Sequence, residues 1–418
     1  MASSSIHVLD RNDYSKHHVV SLPPKNEPES SLPPSSISIR PLILGLTTNN
    51  LTYARFGAFM GWYDIYPLPS SVPPPFTDTS TFGRVPAWGY AEIVASNVPG
   101  IDAGMSVYGF LPIGTTTETF SVEFATHAGA KMSTQLVVTS AHRQHVWKVY
   151  NRYHLCAPLA QLVAERDGGI DNLGWDALMQ GLFATGYNMN RHAFAWEEDW
   201  RIHPSGEGEW TAEDADLEGS VVVVLNASGK TARGFSHCLR QDRPNEYQPK
   251  AIVGVGSEAS VGVLRESGLY NKVVTNEDAE ETRKWIEEQG AKRVVLFEFG
   301  ARPGAEDAWK TALTASGVPL KCITVGGEVK VLDREMLGKR LASRGKVTAV
   351  NASVLREKGI ELHGEKYFED FYTAWEEFKR TSKGMKIEWA EGVEAWRDGW
   401  EAFCNDEVRA DRGLVYRF

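Results

Sequence analysis

The chain has 418 residues, a formal net charge of −10, 42% hydrophobic and 23% charged residues. That length buries a large core and ordinarily divides into two or more domains, and the composition is that of a soluble globular protein. The acidic balance speaks against nucleic acid as a partner, and no apolar run approaches the roughly 20 residues of a spanning helix, so no membrane partner is expected.

Residues 1–36 are rich in Ser and Pro and read as a flexible arm, with one short strand at Ile6-His7-Val8-Leu9. From 37 to 170, short β-like runs (37–48, 90–96, 106–110, 119–123) are separated by Pro and Gly, which predicts a compact β-barrel-type domain. Within it, the Pro-rich residues 65–75 read as a lid, a dimer contact or a plain surface loop. Residues 171–190 read as helix. From 171 to 345 strands and helices alternate: strands at 221–225, 251–255, 272–274, 294–299 and 322–325, with a helix over 277–289. Such alternation predicts right-handed βαβ units and a doubly wound parallel sheet, so the fold class is α/β. Residues 346–418 carry an amphipathic helix over 367–383, a second over 393–403 and a closing strand at 413–418 that returns to the β-rich domain. Trp375, Trp389, Trp396 and Trp400 are spaced for helix packing and read as core.

The most informative stretch is Val221-Val222-Val223-Val224-Leu225-Asn226-Ala227-Ser228-Gly229-Lys230-Thr231-Ala232-Arg233-Gly234. Five apolar residues suit a strand buried on both faces, and the small residues after it suit a turn into a helix that presents backbone N–H groups to a phosphate. Ser228, Gly229, Lys230 and Thr231 are the expected pyrophosphate contacts. A P-loop is excluded, since the glycine it needs at position 224 is Val224. After the second strand, Ser257 and Ser260 suit the 2′-phosphate of NADP, with Lys230 and Arg233 adding positive charge, whereas Glu258 facing the ribose would oppose it. NADP(H) is preferred; NAD(H), or no nucleotide at all, stays open.

A β-rich unit, a Rossmann-like core and a return strand resemble the medium-chain dehydrogenase/reductase superfamily, with a GroES-like first domain. Ala227-Ser228-Gly229 with Gly234 resembles its phosphate turn, Ser267-Gly268-Leu269-Tyr270-Asn271-Lys272-Val273-Val274 its segment after the second strand, and Thr324-Val325-Gly326-Gly327 its late glycine turn. Asn49-Asn50-Leu51-Thr52-Tyr53-Ala54, Gly83-Arg84-Val85-Pro86-Ala87-Trp88-Gly89-Tyr90-Ala91 and Val149-Tyr150-Asn151-Arg152-Tyr153 resemble a little-characterised, zinc-independent branch of it. The resemblance covers about 40–418. One departure is clear: Lys230-Thr231-Ala232 stands where the usual third glycine would be.

The resemblance implies a cytoplasmic oxidoreductase that takes NADP(H) and reduces a C=C or C=O bond of a small carbonyl compound. Gly326 would let the backbone approach the nicotinamide. Tyr53 would donate a proton or polarise the carbonyl, with Asn50 and Thr52 holding the substrate carbonyl; the plainer alternative is that Tyr53 only packs. Tyr150 and Asn151 are candidates to face the substrate or, equally, to tie the domains together. His142 and Arg143 are weaker candidates. Zinc-using members need Cys and His ligands in the first domain. No Cys precedes Cys156, and His127, His142 and His145 have no Cys at ligand spacing, so no metal is expected. The four cysteines form no CxxC pair and fit reduced thiols in an intracellular protein. Two other readings remain. One is a redox-neutral cyclase, lyase or isomerase on a dehydrogenase-like scaffold; the other is a non-catalytic nucleotide-binding protein. A homodimer through an edge strand at 318–325 is a further expectation of the resemblance.

Overall fold

The computed structural model describes residues 4–24, 31–301, 304–325 and 348–418. Its contacts divide the chain into two units, Met1–Gly181 with Lys386–Phe418, and Leu182–Met385. Residues 170–193 form one unbroken helical run, Ile170–Trp175, Asp176–Gln180, Gly181–Asn188 and Met189–Ala193, with no Pro to interrupt it.

The first unit is built from β1 (Ser4–Asp10), β2 (His17–Leu22), β3 (Ser36–Leu46), β4 (Phe82–Gly83), β5 (Ala87–Ser96), β6 (Ser106–Leu111), β7 (Glu118–His127), β8 (Ala130–Val138) and β9 (Arg152–Cys156). The second contributes β10 (Val221–Leu225), β11 (Ala251–Gly256), β12 (Lys272–Thr275), β13 (Val294–Glu298), β14 (Leu320–Thr324) and β15 (Thr348–Ala349). The chain then returns to the first unit with β16 (Lys386–Glu391) and β17 (Arg412–Arg417).

In the first unit an 8-stranded sheet runs β16-β17-β3-β5-β6-β9-β8-β7, and a further β3–β7 pairing closes its six strands from β3 to β7 into a barrel, with β17 and β16 extending from β3. Strand β3 makes this possible by dividing its length. Ser36 to Ile39 pair with β7, while Ile43 to Leu46 pair antiparallel with β17. Closure leaves those six strands without a free end strand, while β16 stays the outer strand of the sheet. Beside it, β1 and β2 form a hairpin that pairs with β4. Residues 4–22 are therefore not a loose arm. Ile6, Val8, Val20 and Leu22 bury their side chains together with Val72, a gain the surrounding Ser/Pro composition conceals. The same Val72, with buried Ile65 and Tyr66, anchors the Pro-rich 65–75 segment over the hairpin.

In the second unit a 6-stranded parallel sheet runs β12-β11-β10-β13-β14-β15. Numbered from β10 this is the order 3-2-1-4-5-6 of a dinucleotide-binding sheet, with its topological switch between β10 and β13. All five residues of β10 are buried, as are those of β13, because helices cover both faces. Strand β14 is not the open edge: β15 pairs beyond it, at Ile323↔Thr348 and Thr324↔Ala349. Trp375, Trp396 and Trp400 are core, but Trp389 lies in strand β16, half-buried, with its indole N–H donating to Asp171. Among the described residues no helix is long and apolar enough to cross a membrane.

Candidate active-site and nucleotide-binding residues

In the first unit the helix Thr48–Met60 begins at a capping box. The Thr47 hydroxyl accepts from the Asn49 N–H at 3.2 Å, and Asn50 Oδ1 accepts from the Thr47 N–H at 2.9 Å. This start places Asn49 one turn ahead of Tyr53, and its Nδ2 donates to the Tyr53 hydroxyl at 2.7 Å. Trp88 Nε1, on β5, donates to the same oxygen at 3.0 Å. Both N–H groups are obligate donors, so they occupy the two lone pairs of the Tyr53 oxygen and turn its own proton toward Tyr150, its third hydrogen-bond partner. Burial raises the Tyr53 pKa, and the hydrogen bonds of Trp88, Asn49 and Tyr150 offset part of that rise. Rings of Phe110 and Trp62 meet Tyr53 edge-on at 4.7 and 4.8 Å, and Tyr150 does so at 6.0 Å.

Tyr150 is held by a buried arginine. Arg143, fully buried, donates from Nη2 to the Tyr150 carbonyl at 2.7 Å and from Nε to Asn151 Oδ1 at 2.9 Å. Asn151 Nδ2 returns a bond to the Arg143 carbonyl at 2.9 Å. The structure thus brings Tyr53 and Tyr150 together and takes Asn50 and Asn151 away from them. Asn50 is used up as a helix cap and Asn151 as the clamp of Arg143. Thr52 is half-buried and is not among the partners of the Tyr53 hydroxyl. His142 is exposed and its Nε2 lies 3.4 Å from the Ile65 carbonyl. Sequence reasoning missed Asn49 and Trp88. The four-residue spacing of Asn49 to Tyr53 on one helix face was the available signal for the first; nothing local announced the second.

In the second unit β10 leads through Asn226, Ala227, Ser228 and Gly229 into the helix Lys230–His237. Asn226 adopts φ +54°, which an Asn tolerates, and its Nδ2 donates across the switch point to the Phe299 and Gly300 carbonyls at 2.9 and 3.3 Å. A Cβ at Gly229 would sit 3.1 Å from the Asn226 carbonyl oxygen, tight enough to favour glycine there. No side chain caps the helix at Gly229. Its first-turn N–H groups and positive dipole end are thus turned to the carboxyl edge of the sheet, beside half-buried Ser228 and Thr231. This edge has the donors that a pyrophosphate requires, and the residues present fit the group.

Two of the expected charge and hydroxyl contributions are spent elsewhere. The Arg233 guanidinium is buried and donates to the carbonyls of Lys383 and Gly384. Lys230, half-buried, therefore stands as the cation of the turn; burial, then the neighbouring Arg233 charge, lowers its pKa to about 8. The Ser257 hydroxyl donates to Ser260 Oγ at 3.3 Å, which donates to the Ser257 carbonyl at 3.0 Å, while Glu258 is exposed. Tyr270 was missed: its hydroxyl donates to the Ala227 carbonyl at 2.8 Å, and its ring covers Gly254, where a Cβ would come within 2.6 Å. Gly326 lies outside the described residues.

The fold is shared with known reductases. A mutant enoyl thioester reductase from Candida tropicalis is similar at a TM-score of 0.56 and 12% identity, covering 100% of both chains. The Etr1p complex with NADP and crotonyl-CoA is similar at 0.55 and 12%, again over 100% of both. The CurF ER cyclopropanase from the curacin A biosynthetic pathway is similar at 0.54 and 13%, over 100% of this chain and 99% of that one. At such identities the likeness is one of fold, the GroES-like plus Rossmann fold of the medium-chain dehydrogenases/reductases. No curated protein matches the chain in sequence. The family described as a protein of unknown function (DUF2855) matches residues 44–409, and the chain belongs to it.

Proposed function

We propose that the protein is a zinc-independent oxidoreductase that takes NADP(H) and reduces a C=C or C=O bond conjugated to the carbonyl of a small molecule. The observation that carries this reading is the uncapped start of the helix Lys230–His237, set at the switch point of a 3-2-1-4-5-6 sheet with a lysine on its first turn. Ser228, Gly229, Lys230 and Thr231 would hold the pyrophosphate, and Ser257 would approach the adenosine ribose. The similar structures whose names include NADP and crotonyl-CoA support the choice of nucleotide and an enoyl substrate. When bound, the nucleotide supplies a hydride.

The chain's own part is proton delivery. Tyr53 holds its proton on an oxygen whose lone pairs already accept from Asn49 and Trp88, so those donors stabilise the phenolate as the proton leaves. Tyr150, hydrogen-bonded to Tyr53 and fixed through its carbonyl by Arg143, keeps the phenol oriented. The deciding experiment is titration with NADPH and NADH. Micromolar NADPH binding that Lys230→Ala weakens supports the reading; no binding of either nucleotide at millimolar concentration overturns it.

A redox-neutral reading is favoured by one specific finding. The guanidinium of Arg233 and the hydroxyl of Ser257 are both engaged within the protein, which leaves a 2′-phosphate little to bind. On that reading Tyr53 and Tyr150 act alone on the carbonyl, as acid and oxyanion donor.

A further inference from the structure

The second unit contains a group of side chains that the reading above does not use. His237 ends the helix Lys230–His237, and Cys238 and Asp242 are the first and last residues of the π-helical turn that continues it. One ligand atom from each of the three lies within 4.8 Å of the others. His237 and Cys238 are buried and Asp242 is half-buried. Single π-turns inside helices often mark functional positions, because the added residue redirects the side chains that follow.

The hydrogen bonds fix the tautomer of the imidazole. The Thr381 hydroxyl donates to the Glu377 carbonyl at 2.7 Å, so toward His237 Nε2, 3.0 Å away, it can only accept. Nε2 therefore carries the proton and Nδ1 carries the lone pair. That Nδ1 is buried and has no hydrogen-bond partner, and the same holds for Asp242 Oδ2. The Cys238 thiol donates to the Asp242 carboxylate. The rings of Phe183 and Phe378 stand 6.3 and 5.0 Å from the imidazole. Two buried acceptors left unpaired beside a thiol are costly.

We propose that His237, Cys238 and Asp242 bind one thiophilic divalent cation of the zinc class, through imidazole Nδ1, thiolate and carboxylate. The cation satisfies both unpaired acceptors, and the thiol proton leaves to solvent as the metal–sulfur bond forms. A donor set of one nitrogen, one sulfur and one oxygen suits zinc or cobalt(II) rather than magnesium or calcium. Zinc bonds of about 2.0–2.3 Å place ligand atoms roughly 3.3–3.8 Å apart, a spacing the present 4.8 Å limit lets the three side chains reach by small adjustments. Thr381 then has the role of a positioning residue, fixing the metal-binding tautomer from the far side of the ring.

The test is cobalt(II) titration of the chelator-stripped full chain, followed by absorption. The expected result is a thiolate-to-cobalt charge-transfer band with tetrahedral d–d bands, saturating at one ion per chain and displaced by zinc. Cys238→Ser removes the charge-transfer band. Thr381→Val weakens cobalt binding by roughly 10–100-fold. If Cys238→Ser fails to fold, Asp242→Asn replaces it, with a loss of affinity expected. No charge-transfer band at excess cobalt in the parent protein overturns the proposal. So does a band that survives Cys238→Ser undiminished, or, where Asp242→Asn stands in, an affinity that variant leaves unchanged.

Discussion

The two regions singled out here treat their polar groups in opposite ways. Around Tyr53 the donors converge: Asn49 and Trp88 point at one oxygen, and Arg143 holds the backbone of the neighbouring Tyr150. At the start of the helix Lys230–His237 no side chain caps the end, and the lysine there is pushed toward neutrality by its own burial. On the proposed reading the first arrangement gives up a proton and the second takes an anion. Preorganisation belongs where charge develops in a reaction, and unmet donors belong where a ligand brings charge with it.

The sharpest way to break this contrast is Tyr53→Phe. Turnover of an enone should fall about 10²–10⁴-fold, while nucleotide affinity measured by fluorescence stays as it was; a loss confined to affinity would reverse the assignment. Next comes Trp88→Phe, which deletes one donor and keeps an aromatic ring. A lost hydrogen bond of about 1–1.5 kcal/mol predicts a roughly tenfold drop in kcat with little change in KM, and an alkaline limb of the pH profile moved upward.

Lys230→Met tests the other region through stability. A lysine whose folded pKa is about 8, against a model value of 10.5, is held less tightly by the folded chain than by the unfolded one. The unfolded state therefore binds more protons between these values, and stability should rise as pH climbs through that window. Thermal melts from pH 7 to 10 should show this rise in the parent protein and lose it in Lys230→Met. A parallel slope in both would place the lysine charge elsewhere. The smallest effect is expected from Asn50→Ala: about 0.5–1 kcal/mol of stability from the lost cap, with turnover of folded protein unchanged. A turnover defect in folded Asn50→Ala would return Asn50 to the substrate.

The parallel sheet was legible because it is written locally. Runs such as Val221 to Leu225 are apolar on both faces, and the glycines and helices between them leave few topologies. The hairpin Ser4–Leu22 was hidden because Ile6, Val8 and Val20 are embedded in polar, Pro-rich sequence and find their partner in distant Val72. The choice between Asn49 and Asn50 turned on where a helix begins: Thr47 as cap assigns Asn50 to the backbone and Asn49 to Tyr53. Arg143 was only a weaker candidate, since its guanidinium is sunk among Tyr66, Phe120 and Tyr153 by tertiary packing that no local pattern announces. Trp389 was misplaced because tryptophans seven and four apart, as Trp389, Trp396 and Trp400 are, look helical even when one belongs to a strand.

The division of β3 between β7 and β17 has a consequence for synthesis on the ribosome. When Ser36 to Leu46 emerge, the partner for their second half, Arg412–Arg417, has not been made, and all of Leu182–Met385 must be translated first. From Leu46 to Arg412 the ribosome adds 366 residues, so at roughly 5–20 residues per second an unpaired strand edge stays exposed for on the order of 20–70 s. The intervening unit has every strand of its own sheet within its span and can complete itself in that interval. The nascent chain thus carries a barrel whose β3 edge at Ile43–Leu46 stays unpaired until the last strand emerges, and that edge is what chaperones would meet.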